Sequence, residues 1–261
     1  MRKILILGGT GNISTPITRG LLEAGDHVTI MHTGITNPFS DHPGLTDING
    51  NCKSFEDKLR AAAQGPYDCV IDMLAFSRAQ AEDDILAFGA KTGQLIFCST
   101  INAFSAPANY VPITNDSPRF PDPGFTYGFE KAEMERLFEK AHRDGAFNAT
   151  IIRPSYTYND SWLPVSMVAQ SPDGGRIVMT RILKGKPILV PGDGLGIWCC
   201  THRDDAALAF IGAVCNPKAY GGAYTISGDE RMTWEEIYRT AAKAWDAPEP
   251  VFVRMASDLM V

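Results

Sequence analysis

Short apolar, β-branched runs alternate with longer amphipathic stretches over the first 155 positions of the chain. Ile4 to Leu7 are continuously apolar, as expected of a strand covered on both faces. Ile13, Ile17, Leu21 and Leu22 then fall on one helical face that Gly25 ends. The alternation continues with strands predicted at Val28–Met31, Leu45–Ile48, Cys69–Asp72, Leu95–Cys98 and Thr150–Arg153. Helices are predicted at Phe55–Ala63, stopped by Gly65-Pro66, at Arg78–Ala90 and at Thr126–Arg143, the last burying Met134, Leu137, Phe138 and Ala141. Strands and helices at this spacing predict an α/β fold built on a doubly wound parallel sheet.

The pattern changes after Arg153-Pro154. Tyrosines, prolines and glycines replace the regular alternation, with helices expected near 176–183, 203–214 and 233–245 and strands at 188–190 and 224–226. Thr233 and Glu236 are spaced as a capping box. The expected division is a main domain over 1–154, with returning segments near 188–226, and a small C-terminal lobe over 155–187 and 227–261. A long irregular loop, 101–124, interrupts the main domain, and such loops are usually functional.

Bulk properties narrow the field. Of 261 residues, 44% are hydrophobic and 21% charged, the composition of an ordinary globular protein. A formal net charge of −6 without clustered basic residues argues against nucleic acid as a partner. No apolar stretch reaches the ~20 residues of a membrane span, so no membrane partner is expected. The six cysteines form no C-x-x-C pair and are expected to be reduced, consistent with a cytoplasmic protein. No metal site is expected: His202, Asp204 and Asp205 fit capping of the following helix better than metal ligation. The acidic pairs Asp83-Asp84 and Glu235-Glu236 read as solvated helix faces.

Chemistry concentrates at three places. Gly8-Gly-Thr-Gly-Asn-Ile-Ser14 turns the first strand into a helix with Pro16 in its first turn, presenting backbone N–H groups and a positive dipole end to an anion. Ser99-Thr100 ends the fifth strand, at the sheet edge where ligands bind in open α/β folds. Tyr127 and Lys131 share a helix face, and an ammonium within ~4–6 Å of a phenol lowers its pKa of ~10 towards that of a usable base.

Together with Arg153-Pro-Ser-Tyr-Thr-Tyr158, these motifs resemble, in order and spacing, the extended short-chain dehydrogenase/reductases, in the NAD-dependent epimerase/dehydratase branch. The resemblance implies a Rossmann-type sheet with a small C-terminal substrate lobe, and a homodimer built on the helices near 79–90 and 126–143. It implies Thr100, Tyr127 and Lys131 as a catalytic triad, Tyr127 exchanging a proton with a substrate hydroxyl while a hydride moves to or from a nicotinamide. It places the dinucleotide against Gly8, Thr10, Gly11, Asn12 and Ile13, against His32 and Thr33 after the second strand, Leu74 and Ala75 after the fourth, Tyr127 and Lys131, and Pro154 and Ser155. Members of the family usually continue beyond Val261, so the lobe is expected to be minimal or truncated.

Departures from the family pattern sharpen the expectation. His32 stands where NAD-preferring members carry a ribose-binding acid, and no arginine replaces it for a 2′-phosphate, so NADP or NAD is expected, with NADP favoured because no carboxylate repels a phosphate. Asn51 replaces the acid expected after the third strand. Ile101-Asn102 lacks the Asp-Glu of the sugar-nucleotide dehydratases, and Trp198 stands where nucleotide-sugar epimerases place an arginine. The expected substrate is a small sugar-like or polyol molecule with a secondary alcohol or ketone, not a nucleotide-sugar. The alternative reading is a non-catalytic NAD(P)-binding sensor or an RNA-associated protein of the same fold.

Overall fold

Seven parallel strands, in the order Ala223–Ile226, Asn148–Pro154, Thr92–Cys98, Tyr67–Asp72, Lys3–Leu7, His27–His32 and Leu45–Asn49, form one sheet. The computed structural model describes residues 1–35, 37–108, 110–160 and 172–256. In chain order the first unit runs β1 (Lys3–Leu7), α1 (Ser14–Glu23), β2 (His27–His32), β3 (Leu45–Asn49), α2 (Phe55–Ala62), β4 (Tyr67–Asp72), α3 (Arg78–Phe88), β5 (Thr92–Cys98), α4 (Thr126–Arg143) and β6 (Asn148–Pro154). Ile4 and Ile6 of β1 pack with α1 residues Ile17 and Leu21, while Leu5 and Leu7 pack on the other side with Ala61 of α2 and Phe88 of α3. Successive side chains leave a strand on opposite faces, so burying both requires an unbroken apolar run.

The chain divides into a unit of Met1–Ser155 with Asp204–Ile226 and a second unit of Tyr156–Arg203 with Ser227–Val261. The segment that returns to the sheet is therefore shorter than the expected 188–226. It supplies most of α6 (Arg203–Ala213) and the strand β11 (Ala223–Ile226), which pairs in parallel with β6. Gly20 of α1 admits α6 closely: a Cβ there would lie 2.5 Å from Ile211 Cδ1. Buried Gln94 on β5 fastens the return. Its Nε2 donates to Thr150 Oγ1 and Ala213 O, both at 2.9 Å, and its Oε1 accepts from Cys215 N at 2.6 Å.

In the second unit, β7 (Tyr156–Tyr158) pairs in parallel with β10 (Cys200–His202), and β9 (Ile197–Trp198) pairs antiparallel with β12 (Met232–Thr233). Residues 188–203, expected in the main domain, belong here because β8 (Ile188–Pro191) finds its partner in β13 (Phe252–Met255). Met179 and Ile182 of α5 (Pro172–Leu183) and Trp234, Ile237 and Tyr238 of α7 (Trp234–Ala244) surround Ile188 and Val190. Thr233 and Glu236 close the expected capping box.

The two acidic pairs read as solvated are each half buried. Asp84 is fully buried, with Lys58 Nζ 2.6 Å from its Oδ1. Glu235 is buried too, engaged by Arg239 and Arg254. Among the described residues no helix is long and apolar enough to cross a membrane.

Candidate active site

The sites named from sequence sit where five parallel strands end. Gly8 follows β1, His32 ends β2, Leu74 and Ala75 follow β4, Thr100 follows β5, and Pro154 and Ser155 close β6. A parallel sheet sends these ends to one edge, which is why residues more than a hundred positions apart converge.

The glycine turn is shaped by steric need. Gly8 and Gly9 adopt φ of +113° and +104°, and a Cβ on Gly9 would lie 2.5 Å from Ile30 Cγ2. Helix α1 starts at Ser14, the Ile13 before it offers no side-chain cap, and no acidic residue stands in its first turn. Ser14 Oγ accepts from Gly11 N at 2.8 Å, which holds the turn against the helix. Thr10, Asn12 and Ile13 are partly exposed and Gly11 is exposed, an open helix entrance of the sort that suits a pyrophosphate.

Lys131 is held more firmly than its spacing alone implied. Its ammonium is buried and donates to Ala75 O at 2.8 Å and Cys98 O at 2.7 Å, with the rings of Phe97 and Phe76 4.6 and 4.9 Å from it. Burial lowers its pKa, against the pull of Cys98, Asp72 and Glu135. Tyr127, one turn earlier, is 40% exposed, and its ring lies 6.4 Å from the Phe76 ring. Desolvation lifts its phenol above the usual value, Cys98 adds to the lift, and the neighbouring Thr100 hydroxyl works the other way. The phenol thus stands above its usual value in the free protein, not below it as the spacing to Lys131 predicts. Thr100 is buried and its Oγ1 also accepts from Asn102 N at 3.2 Å, capping a short turn.

Beneath this triad lies an ionic cluster the sequence did not disclose. Glu135, one helical turn beyond Lys131 and fully buried, accepts from Arg153 Nε and Nη2 at 2.8 Å each, from Arg119 Nη1 at 2.6 Å and from Ser99 Oγ at 2.5 Å. These bonds hold its carboxyl below the usual range despite burial. The cluster ties α4 to β6, to the 101–124 loop through Arg119, and to the residue preceding Thr100. The spacing Lys131-x-x-x-Glu135 was the available signal; its partners were not predictable locally.

The adenosine side differs from expectation. A carboxylate does stand beside the end of β2: Asp47 Oδ1 lies 2.9 Å from His32 Nε2, while Asn37 Nδ2 donates to Asp47 Oδ2 at 2.6 Å. Gly34 N donates to His32 Nδ1 at 3.2 Å, which leaves Nε2 as the protonated nitrogen of the neutral ring. Thr33 beside it is exposed. Asn51 is used locally, its N–H held by Asp57 and its Oδ1 accepting from Lys53 N. In the second unit, Trp198 packs on Trp234 with ring centroids 4.8 Å apart.

Two relatives align over nearly the whole chain. The 2'-dehydrokanamycin reductase of Streptomyces kanamyceticus is 25% identical over 96% of this chain and 69% of its own length. The chloroplast stem-loop binding protein of 41 kDa b of Arabidopsis thaliana is 27% identical over 97% of this chain. The chain spans only 65% of that relative's length. Among solved structures, the Bordetella bronchiseptica enzyme WbmH in complex with NAD+ superposes with a TM-score of 0.77 at 21% identity, over 99% of this chain and 87% of that one. The family model matches residues 4–227, which take in the glycine turn, Thr100, Tyr127, Lys131 and the returning strand, and on that match the chain belongs to the NAD dependent epimerase/dehydratase family.

Proposed function

We propose that the protein is an NAD-linked reductase that interconverts a ketone and a secondary alcohol on a small sugar-like substrate. The observation that carries this reading is the convergence of Thr100, Tyr127 and Lys131 on the edge that also bears the glycine turn. The reductase name of the Streptomyces relative supports the direction towards alcohol. Bound at this edge, the nicotinamide would supply or accept the hydride. Tyr127 gives a proton to the carbonyl oxygen, or takes one from the hydroxyl, and Thr100 holds that oxygen by a hydrogen bond. Lys131, one helical turn beyond Tyr127, would supply the positive charge that favours the anionic side of the exchange once substrate and nicotinamide are bound.

The choice of NAD over NADP rests on Asp47. Its carboxylate at the end of β2 disfavours a 2′-phosphate, and no arginine stands at Thr33 to receive one. The absence of a diphosphate-binding arginine at Trp198 favours a substrate without a nucleotide. The test is oxidation of NADH, followed at 340 nm, against a panel of keto- and amino-keto sugars. Turnover with none of them, by a protein that binds NADH, would overturn the reading.

A second reading, an RNA-associated protein, is favoured only by the Arabidopsis relative. Retention of RNA that falls steeply with salt, in a protein releasing no nucleotide on denaturation, would support it against the enzyme.

A further inference from the structure

Three charged side chains lie buried beneath the turn that follows β4, and the proposed chemistry uses none of them directly. Asp72 ends β4 and is 1% exposed, Asp84 on α3 is 0% exposed, and Lys58 on α2 is 1% exposed. Asp72 Oδ1 accepts from the backbone N–H groups of Leu74 at 2.8 Å and Ala75 at 3.1 Å, so this carboxylate sets the course of the turn. Lys58 Nζ lies 2.6 Å from Asp84 Oδ1 and donates to Gln80 O at 2.9 Å, which anchors α2 against α3.

Burial raises the Asp84 carboxyl, and the neighbouring Asp72 raises it further. Asp72 Oδ2 and Asp84 Oδ2 lack a hydrogen-bond donor, and Asp84 Oδ1 is met by the Lys58 ammonium 2.6 Å away. One proton shared by the pair satisfies this arrangement. Burial and the Asp72 charge both favour its residence on Asp84, against the opposing pull of Lys58. Three further titratable groups face the cluster. Cys52, ahead of α2, has a thiol pushed up to about 12 by burial and by Asp72. Cys98 on β5 is likewise raised, and Lys131 on α4 faces Asp72 from the far side.

The braced turn touches both halves of the candidate site. A Cβ on Gly8 would lie 3.5 Å from Met73 Cβ and from Leu74 Cδ1, so the turn abuts the glycine loop. Ala75 O, on the residue whose N–H Asp72 holds, accepts the Lys131 ammonium at 2.8 Å. We propose that Lys58, Asp84 and Asp72 are positioning residues, a proton-holding brace that fixes the 73–75 turn and, through it, the glycine loop and the Lys131 ammonium. The clause concerning Lys131 rests on the function proposed above; the brace itself does not.

The experiment compares wild type with Asp84→Asn, which keeps a neutral donor, and Asp84→Ala, which has none. Between the unfolded Asp pKa of ~3.9 and that of folded Asp84, the folded chain binds a proton that the unfolded chain has lost, so this group's contribution to stability falls as pH rises. The melting temperature of the wild type should therefore fall relative to that of Asp84→Asn as pH rises from about 5 to 9. NADH affinity and kcat should each drop about ten- to a hundredfold in Asp84→Ala, with most of the loss recovered in Asp84→Asn. A constant wild-type to Asp84→Asn difference across that pH range would overturn the proton-holding brace, as would a folded Asp84→Ala protein with wild-type NADH affinity. A wild type that binds NADH but reduces nothing would sink the reductase reading alone, since the melting curves and NADH affinities still decide the brace.

Discussion

Arg153 and Glu135 form a two-pronged ion pair, Nε and Nη2 each 2.8 Å from a carboxylate oxygen, with both side chains sealed from solvent. Removing one member leaves the other charged and buried. Arg153→Met is therefore expected to cost about 3–5 kcal/mol, seen as a lower denaturation midpoint. Because the Glu135 carboxyl is held below its usual range, its contribution is complete above the unfolded value of ~4.3 and is lost as pH falls through the folded value. Glu135→Gln should flatten that acid limb; an unchanged limb would mean that the pair adds no pH-dependent stability.

Tyr127→Phe should reduce turnover by roughly 10²- to 10⁴-fold, the usual worth of a positioned acid or base. NADH binding, read by quenching of protein fluorescence, should hardly change. In the free wild type, desolvation lifts the phenol above its usual value. Ultraviolet titration against Tyr127→Phe should show its phenolate only above about pH 10.

Lys131→Met separates support from chemistry. The substitution strips the donor from the carbonyls of Ala75 and Cys98, at about 1–3 kcal/mol for each buried group left unpaired. Activity and melting temperature should fall together, whereas Tyr127→Phe lowers activity alone. A Lys131→Met protein as stable as wild type would show that those two bonds hold nothing in place.

Asp47→Ser removes the carboxylate beside His32. The ratio of NADP to NAD affinity should rise on the order of tenfold, more at low ionic strength, where the exposed charge is less screened. Isothermal titration with both dinucleotides checks this. A ratio that stays put means that Asp47 does not face the adenosine ribose.

Local pattern made the sheet legible because its central strands, such as β1 and β4, are apolar runs whose two faces need cover. Helix α4 was predicted to the residue, 126–143, since its charge pattern and apolar face repeat cleanly. The second unit was read less well: β9, β10 and β12 are only two or three residues long, too short to show a period. Residues 188–203 were misassigned because a strand's partner is fixed by tertiary pairing, and β13 lies some sixty residues downstream.

The candidate residues that gather at one sheet edge were legible wherever each belongs to its own motif, as at Gly8, Thr100, Tyr127 and Lys131. It was illegible where function depends on a partner. Asp84 sits at helical spacing between Ala81 and Phe88, which was the signal for burial, but nothing local named Lys58 or Asp72 as its company. Asp47 reaches His32 only through the register of β3 on β2.

The return of Asp204–Ile226 to the first sheet has a consequence for how the chain is made. A ribosome delivers β6, with its Ala-Thr-Ile-Ile core, long before β11 exists to cover its edge. At ~5–20 residues per second, that open edge persists for several seconds while residues 156–222 emerge. An uncovered apolar strand edge invites pairing with other chains. The Gln94 clasp on Ala213 and Cys215 then ends the exposure by drawing the late segment home. Chaperone demand during synthesis should therefore peak between the emergence of β6 and that of β11, and a chain released at Ser155 should aggregate where one released after Ile226 does not.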